Sequence, residues 1–475
     1  MVKPYLKAYC LLLSLLPLVC SAVGFGVGEG QIQKTYEKHC ASCHGKNLQG
    51  GLGSNLVDDT WKFGGTDQDL INIIKQGKTD AGMPAWKITL SDKEIRAMVV
   101  FIREQKFLQQ QRPATTTALD ETVFNSLHHD FSLQRIAEFD STVWSLSFLP
   151  NGGWVATEKA GKIWLKQPNK DKQLITNTPK ARVKGQGGYL DIVPDPQYAK
   201  NGWLYFTYSQ ASQDDDSQAM TTLVRGQINN GQWVNQQTLF KANEQFYTGK
   251  GVHFGSRIVL DSKYVYFSIG DRGNMQQAQE LSQPNGKIHR LHHDGSIPHD
   301  NPFVKNKNAL PSIWSYGHRN PQGLVAHPTT QQLWAGEHGP RGGDEINLVQ
   351  KGLNYGWPTI THGINYNGKP ISDKTTLAGM EQPKHYWVPS IAPGGMAFYQ
   401  GKHFTKWRNN LFVGGMATRS LHRLTLQDNK VVAEEVVMKI EQRIRDVAVS
   451  PSGELYLVIN GSSPKGKIFK VVKKS

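Results

Sequence analysis

Asn201-Gly202-Trp203-Leu204-Tyr205 sets a turn directly ahead of an adjacent aliphatic and aromatic residue, the pattern of a chain leaving a turn into a buried strand. The same unit returns at Trp154-Val155, Val265-Tyr266, Leu333-Trp334, Leu411-Phe412 and Leu455-Tyr456, among turns rich in Gly, Asn, Asp or Ser. The six copies have a mean spacing of 60 residues, the shortest 44 and the longest 78, between Leu333 and Leu411. A supersecondary unit at such a period predicts an all-β six-bladed β-propeller with insertions in its middle blades. A β-sandwich without a true repeat would be large for the stretch 131–475.

Outside that stretch the pattern changes. Residues 25–108 read as a small all-α domain. Ser91 and Glu94 form an S-x-x-E capping box, and Ile95, Met98, Val99 and Ile102 follow at helical spacing. Gln109-Gln110-Gln111-Arg112-Pro113-Ala114-Thr115-Thr116-Thr117 has no apolar period, and 109–130 is read as a linker. A length of 475 residues suits several domains. With 47 glycines, 10% aromatic and 20% charged residues, a turn-rich β protein is favoured over a coiled coil or a disordered chain.

The first 22 residues read as a cleaved signal peptide. Lys3 and Lys7 precede the short apolar run from Leu11 to Val19, and Cys20-Ser21-Ala22 offers small residues for cleavage. The run is well short of the ~20 residues a transmembrane span needs, and Val19 is a poor match to a lipoprotein signal at Cys20. A periplasmic or secreted protein is therefore expected. The net charge of +15 points to acidic partners, a membrane surface or an anionic ligand. The basic residues are scattered and carry no recognition motif, which argues against nucleic acid.

Two of the four cysteines lie in the signal. The other two, in Cys40-Ala41-Ser42-Cys43-His44, form C-x-x-C-H, the attachment motif of haem c. Cys40 and Cys43 would bond to the haem, and His44 would bind its iron. A zinc site would need a second pair of ligands, and none is suitably placed. Met83 in Gly82-Met83-Pro84, 39 residues after His44, is the expected sixth ligand, in a loop that resembles the axial-methionine loop of small single-haem cytochromes c. Met98 fits a core role better. A haem with two protein ligands transfers electrons, so another part of the chain must supply them.

The propeller holds five dense polar clusters at loop positions: 251–257, 270–274, 317–323, 337–345 and 443–446. For any one of them a structural turn is the favoured reading. Together, their arginines, few acids, glycine-lined backbone and histidines suggest a site for a multiply charged anion and a metal ion.

From Arg135 to Val472 the sequence resembles the soluble PQQ-dependent sugar (aldose and sorbosone) dehydrogenases. The resemblance rests on Gly185-Gln186-Gly187-Gly188, His253-Phe254-Gly255-Ser256-Arg257, Gly270-Asp271-Arg272-Gly273-Asn274, Gly317-His318-Arg319-Asn320-Pro321-Gln322-Gly323, Glu337-His338-Gly339-Pro340, Asp344-Glu345-Ile346-Asn347, Asn354-Tyr355-Gly356-Trp357-Pro358 and Arg443-Ile444-Arg445-Asp446. It implies that His253 is the general base for the anomeric hydroxyl, that Asp271 orients it, and that Arg319 stabilises charge on the quinone oxygen. Asn320, Arg443 and Arg445 would bind PQQ, and Gln186 would touch the sugar. The carbonyls of Gly339 and Pro340 would hold a catalytic calcium, and Glu345 with the carbonyl of Tyr355 a structural one. The family often places a lysine on the PQQ carboxylates where this chain has Ala417. Either Arg419 reaches in instead, or one carboxylate is less well neutralised.

The expected function is aldose oxidation at C1, with electrons passing from PQQ to the haem and on to a respiratory acceptor. A flexible tether alone gives an effective haem concentration of order mM at the propeller. Two alternatives remain: a calcium-dependent propeller hydrolase, which has no use for a haem, and a non-catalytic propeller docking the cytochrome to a partner, which predicts decay of His253, Asp271 and Arg319.

Overall fold

All six aliphatic–aromatic units lie on the second strand of an antiparallel sheet: Trp154–Glu158, Leu204–Ala211, Tyr264–Ile269, Leu333–Glu337, Leu411–Gly415 and Leu455–Asn460. The computed structural model describes residues 30–109, 118–461 and 465–474. It is a six-bladed propeller preceded by a small helical domain. The expected signal over 1–22 and residues 110–117 of the expected linker lie outside the described residues.

Blades one to five are consecutive four-stranded meanders, running through 143–175, 189–240, 258–316, 321–387 and 393–439. The sixth joins both ends of the chain. Strands Arg443–Val449, Leu455–Asn460 and Gly466–Lys473 are completed by Asp130–Phe139, which pairs with the last strand from Phe131↔Lys473 to Phe139↔Gly466. This closure leaves no open end in the ring of blades. A short outer strand, Val123–Asn125, pairs with Asp130–Phe139 through Phe124↔Phe131. Propeller structure therefore starts inside the stretch read as linker, where three strand residues are too few for a period to register.

The core is divided among the blade junctions. Each pair of neighbouring blades shares one apolar cluster: Ile163 and Phe206 between blades one and two, Trp334 and Phe398 between four and five, and Phe139 and Trp154 where the sixth meets the first. These alternating apolar positions are why paired aromatic and aliphatic residues mark the strands. At the centre, Arg257 Nη2 lies 2.8 Å from Asp446 Oδ1 and its Nη1 3.3 Å from Asp191 Oδ1, tying blades two, three and six together.

The helical domain consists of Gln31–His39, Ala41–His44, Asp67–Gln76 and Asp92–Gln109. The capping box forms: the Ser91 backbone N–H donates to Glu94 Oε2 at 2.9 Å, and Glu94 N–H donates back to Ser91 Oγ at 3.4 Å. Ile95, Met98, Val99 and Ile102 are buried as their spacing predicts. No helix among the described residues is long and apolar enough to cross a membrane.

Candidate functional site

In the helical domain, Cys40, Cys43, His44 and Met83 line one cavity of about 390 Å³, together with apolar residues including Leu70, Met98 and Ile102. The C-x-x-C-H segment is a single helical turn, which brings both sulfurs and His44 to the same wall. His44 Nδ1 donates to the Ser54 carbonyl at 2.8 Å, and that bond leaves Nε2 as the metal-binding nitrogen. Gly53 lies against the ring, where a Cβ would fall 2.8 Å from His44 Cε1. Burial pushes the Cys40 thiol up to about 11, with Cys43 adding to it. The apolar lining, oriented histidine and facing methionine loop fit a haem.

On the propeller, two kinds of connection meet on one face: the loops leading into each blade's inner strand, and the turns after each second strand. Gln186, His253, Arg319-Asn320 and Arg443 come from the first kind. Asp271, His338 to Gly343, and Met416-Ala417 come from the second. Residues far apart in sequence converge because every blade repeats the same path.

His253 Nδ1 lies 2.6 Å from Asp271 Oδ1. Asp271 is fixed in turn by the Trp357 indole N–H at 2.8 Å and by the Gly273 N–H at 2.7 Å. The imidazole pKa is lowered by burial first and by Arg319 second, with Asp271 opposing. A neutral ring donating from Nδ1 leaves Nε2 as an acceptor, the form a general base needs. Burial acts to raise the Asp271 pKa, but the His253 contact and Arg319 outweigh it and hold the group low. The His253 backbone has φ +52°, a sparsely populated conformation for a non-glycine residue. Its N–H donates to Gln186 Oε1 at 2.7 Å, so Gln186, read as a substrate contact, also fixes the base.

Next to this pair is a cavity of about 230 Å³ lined by Gln186, Asn320, His338, Ala417, Arg443 and Arg445, among others. Arg319 Nε and Arg445 Nε are buried with no hydrogen-bond partner among the described residues. Burial pushes Arg445 down to about 9, and Arg257 adds to the shift. Buried cations short of acceptors fit a multiply anionic cofactor such as PQQ. Arg419 is not among the residues lining this cavity. It sits at φ +57° in the turn between strands Leu411–Gly415 and Ser420–Gln427, and Ala417 lines the wall in its place.

Arg319 Nη1 donates to the carbonyls of Gly339, at 2.6 Å, and His338, at 3.0 Å. A calcium ion held by the Gly339 carbonyl would have to displace that guanidinium from it. The neighbouring Asp344 is pushed up to about 6 by burial, and it accepts from Gly339 N–H at 2.7 Å and Ser390 Oγ at 2.6 Å. Glu345 and Tyr355 belong to one polar cluster. Asn347 Nδ2 donates to both Glu345 and Glu337 at 3.0 Å, Glu337 lies 3.0 Å from His318 Nδ1, and the His318 ring stacks on Tyr355. Burial and then Glu337 push the Glu345 pKa up, a repulsion that a cation would relieve. Among the described residues no group of three or more His, Cys, Asp or Glu side chains is arranged to hold a metal, so either calcium would depend on carbonyl oxygens.

Trp357 and His338 are the site residues whose roles the sequence did not disclose, although both lie inside the quoted motifs. Arg341, counted among the arginines of an anion site, points out of it and bonds Glu104 of the cytochrome helix at 2.7 and 2.9 Å.

The comparisons with known proteins agree with this geometry. Residues 140–470 match the family model "Glucose / Sorbosone dehydrogenase", and residues 29–102 match "Cytochrome C oxidase, cbb3-type, subunit III". The chain is 39% identical over 336 residues to the aldose sugar dehydrogenase YliI of Escherichia coli, covering 69% of this chain and 89% of that one. It is 26% identical over 392 residues to the quinoprotein glucose dehydrogenase B of Acinetobacter calcoaceticus, covering 64% and 81%. The crystal structure of the soluble E. coli aldose sugar dehydrogenase in its apo form superposes with a TM-score of 0.69 at 36% identity, covering 72% of this chain and all of that one.

Proposed function

The chain belongs to the glucose/sorbosone dehydrogenase family, with a c-type cytochrome domain ahead of the propeller, and from that premise we propose that it oxidises an aldose at C1 to the lactone and passes the electrons through its own haem to an external redox acceptor. The observation that carries this reading is the His253–Asp271 pair, 2.6 Å apart, beside a cavity lined by Arg443, Arg445 and Asn320. PQQ, when bound, supplies the two-electron acceptor. His253 Nε2 takes the proton of the anomeric hydroxyl, while the C1 hydrogen leaves with its electron pair and the C1–O bond becomes a carbonyl. Asp271 keeps the ring in its working tautomer and steadies the imidazolium. Arg319 meets negative charge as it develops on the acceptor oxygen. Arg443, Arg445 and Asn320 hold the cofactor. The carbonyls of Gly339 and Pro340 would hold a calcium, with the Gly339 carbonyl released by Arg319, and Glu345 with the Tyr355 carbonyl would hold a second. Each sugar yields two electrons. His44 and Met83 would hold the haem iron, a one-electron acceptor, so two haem reductions would balance one sugar oxidation.

Sugar-dependent reduction of an external dye, appearing only when PQQ and calcium are both present, is the expected result. Failure of a broad aldose panel despite bound PQQ would remove the substrate assignment. Periplasmic or secreted location completes the reading, supported by the leader pattern of 1–22 and by C-x-x-C-H, whose haem is attached outside the cytoplasm. Recovery of the protein from the periplasm or medium with an N-terminus near Val23 is expected; an intact N-terminus in the cytosol would refute it.

A further inference from the structure

The helix Asp92–Gln109 has two working faces. Met98 and Ile102 line the haem cavity. Arg96, Val100 and Glu104, four residues apart on another stripe, meet the propeller. Arg96 Nη2 donates to the Thr361 carbonyl at 2.7 Å, and Val100 faces Gly342, where a Cβ would fall 3.4 Å from its Cγ1. Glu104 accepts from Arg341 Nε at 2.7 and 2.9 Å, and both side chains are over nine-tenths buried. The seat is built from the longest propeller insertion, 350–384, whose Ile364 joins the cytochrome core and pairs with Arg341 through two backbone hydrogen bonds.

Arg341 lies two residues past Gly339, whose carbonyl accepts from the candidate catalytic Arg319 at 2.6 Å. The loop 338–343 thus touches the propeller site at one end and the helix lining the haem cavity at the other. A buried pair contributes modest net stability, but removing one partner strands a charge in the interior. Such a pair acts as a latch that tolerates one arrangement and penalises others.

We propose that Glu104 and Arg341 are positioning residues for internal electron transfer: they lock the cytochrome onto the cofactor-side loop, so that the haem is docked rather than tethered. This rests on the fused-dehydrogenase reading above. The route runs from the propeller site through 338–343 into helix Asp92–Gln109 and the haem wall.

The test uses the full chain carrying haem, with Arg341→Met, Glu104→Met and the double variant. Each single variant leaves turnover with an external dye unchanged but slows sugar-driven haem reduction about a hundredfold, the loss of docked molecules expected when one partner of a buried pair is removed. Without sugar or PQQ, amide hydrogen exchange rises in 341–343 and 361–364. The double variant, which leaves no stranded charge, restores both readouts. Unchanged exchange in the single variants would overturn the latch, as would faster exchange with undiminished haem reduction. If the parent chain shows no sugar-driven haem reduction at all, the functional reading has failed, and the exchange arm alone then decides whether the latch exists.

Discussion

Trp357 donates its indole N–H to Asp271 Oδ2 at 2.8 Å, while the other oxygen of the same carboxylate faces His253 Nδ1 at 2.6 Å. One buried acid thus carries an anchor on one side and the candidate base on the other. Blade three supplies the acid and its base, and the long insertion after the third strand of blade four supplies the anchor.

Replacing the base tests this arrangement at its centre. His253→Ala is expected to lower dye-coupled turnover by about 10²–10⁴-fold, the usual contribution of a positioned base, with the haem spectrum unchanged. Trp357→Phe keeps the ring but loses the bond to a charged acceptor, and is expected to lower kcat about tenfold with little change in KM. An active His253→Ala enzyme would remove the base assignment.

The pH profile has a definite sign. The base works deprotonated, and burial with Arg319 lowers its pKa. Activity should therefore be flat through neutrality and fall only below the ordinary histidine value of about 6.5. Asp271 opposes the lowering, so Asp271→Asn should move the acid limb further down while reducing the plateau. A kcat/KM limb above neutrality that vanishes in His253 variants would contradict the environment described.

Met83 is expected to set the haem potential without affecting sugar oxidation. Met83→Ala should leave dye-coupled turnover intact and lower the haem potential, because a thioether ligand raises it. An unchanged redox titration would place the sixth ligand elsewhere.

The cofactor cavity contains an internal comparison. Ala417 lines it where related enzymes often carry lysine, and Arg445 is one of the cations that remain. Arg445→Gln is expected to weaken PQQ binding about tenfold or more, the worth of a charged hydrogen bond, and Ala417→Lys to tighten it. Direct PQQ titration reads both, and equal affinities across the set would exclude this cavity as the cofactor site.

What the sequence disclosed follows from what a linear pattern can encode. Leu204-Tyr205 and its five counterparts mark strands because each second strand is packed between blades, so paired apolar residues recur. C-x-x-C-H was legible because its ligands sit on one helical turn. Val123–Asn125 was not, because three residues carry no period. Nor does sequence say to which side of a loop an arginine points. Arg319 and Arg341 lie on the same face in neighbouring connections, yet one reaches Gly339 beside the cofactor cavity and the other Glu104 of the cytochrome. The docking of the two domains depends on contacts between residues over two hundred apart, which composition and spacing do not register.

The most direct test of the whole account is optical. The full chain with oxidised haem is supplied with calcium and PQQ, then with an aldose, while the haem absorption band is followed. Reduction of the haem that requires both PQQ and sugar, and that proceeds at a rate independent of protein concentration, is the predicted result. A haem that stays oxidised while an external dye is reduced by the same mixture would contradict the claim that the two domains form one electron-transfer unit.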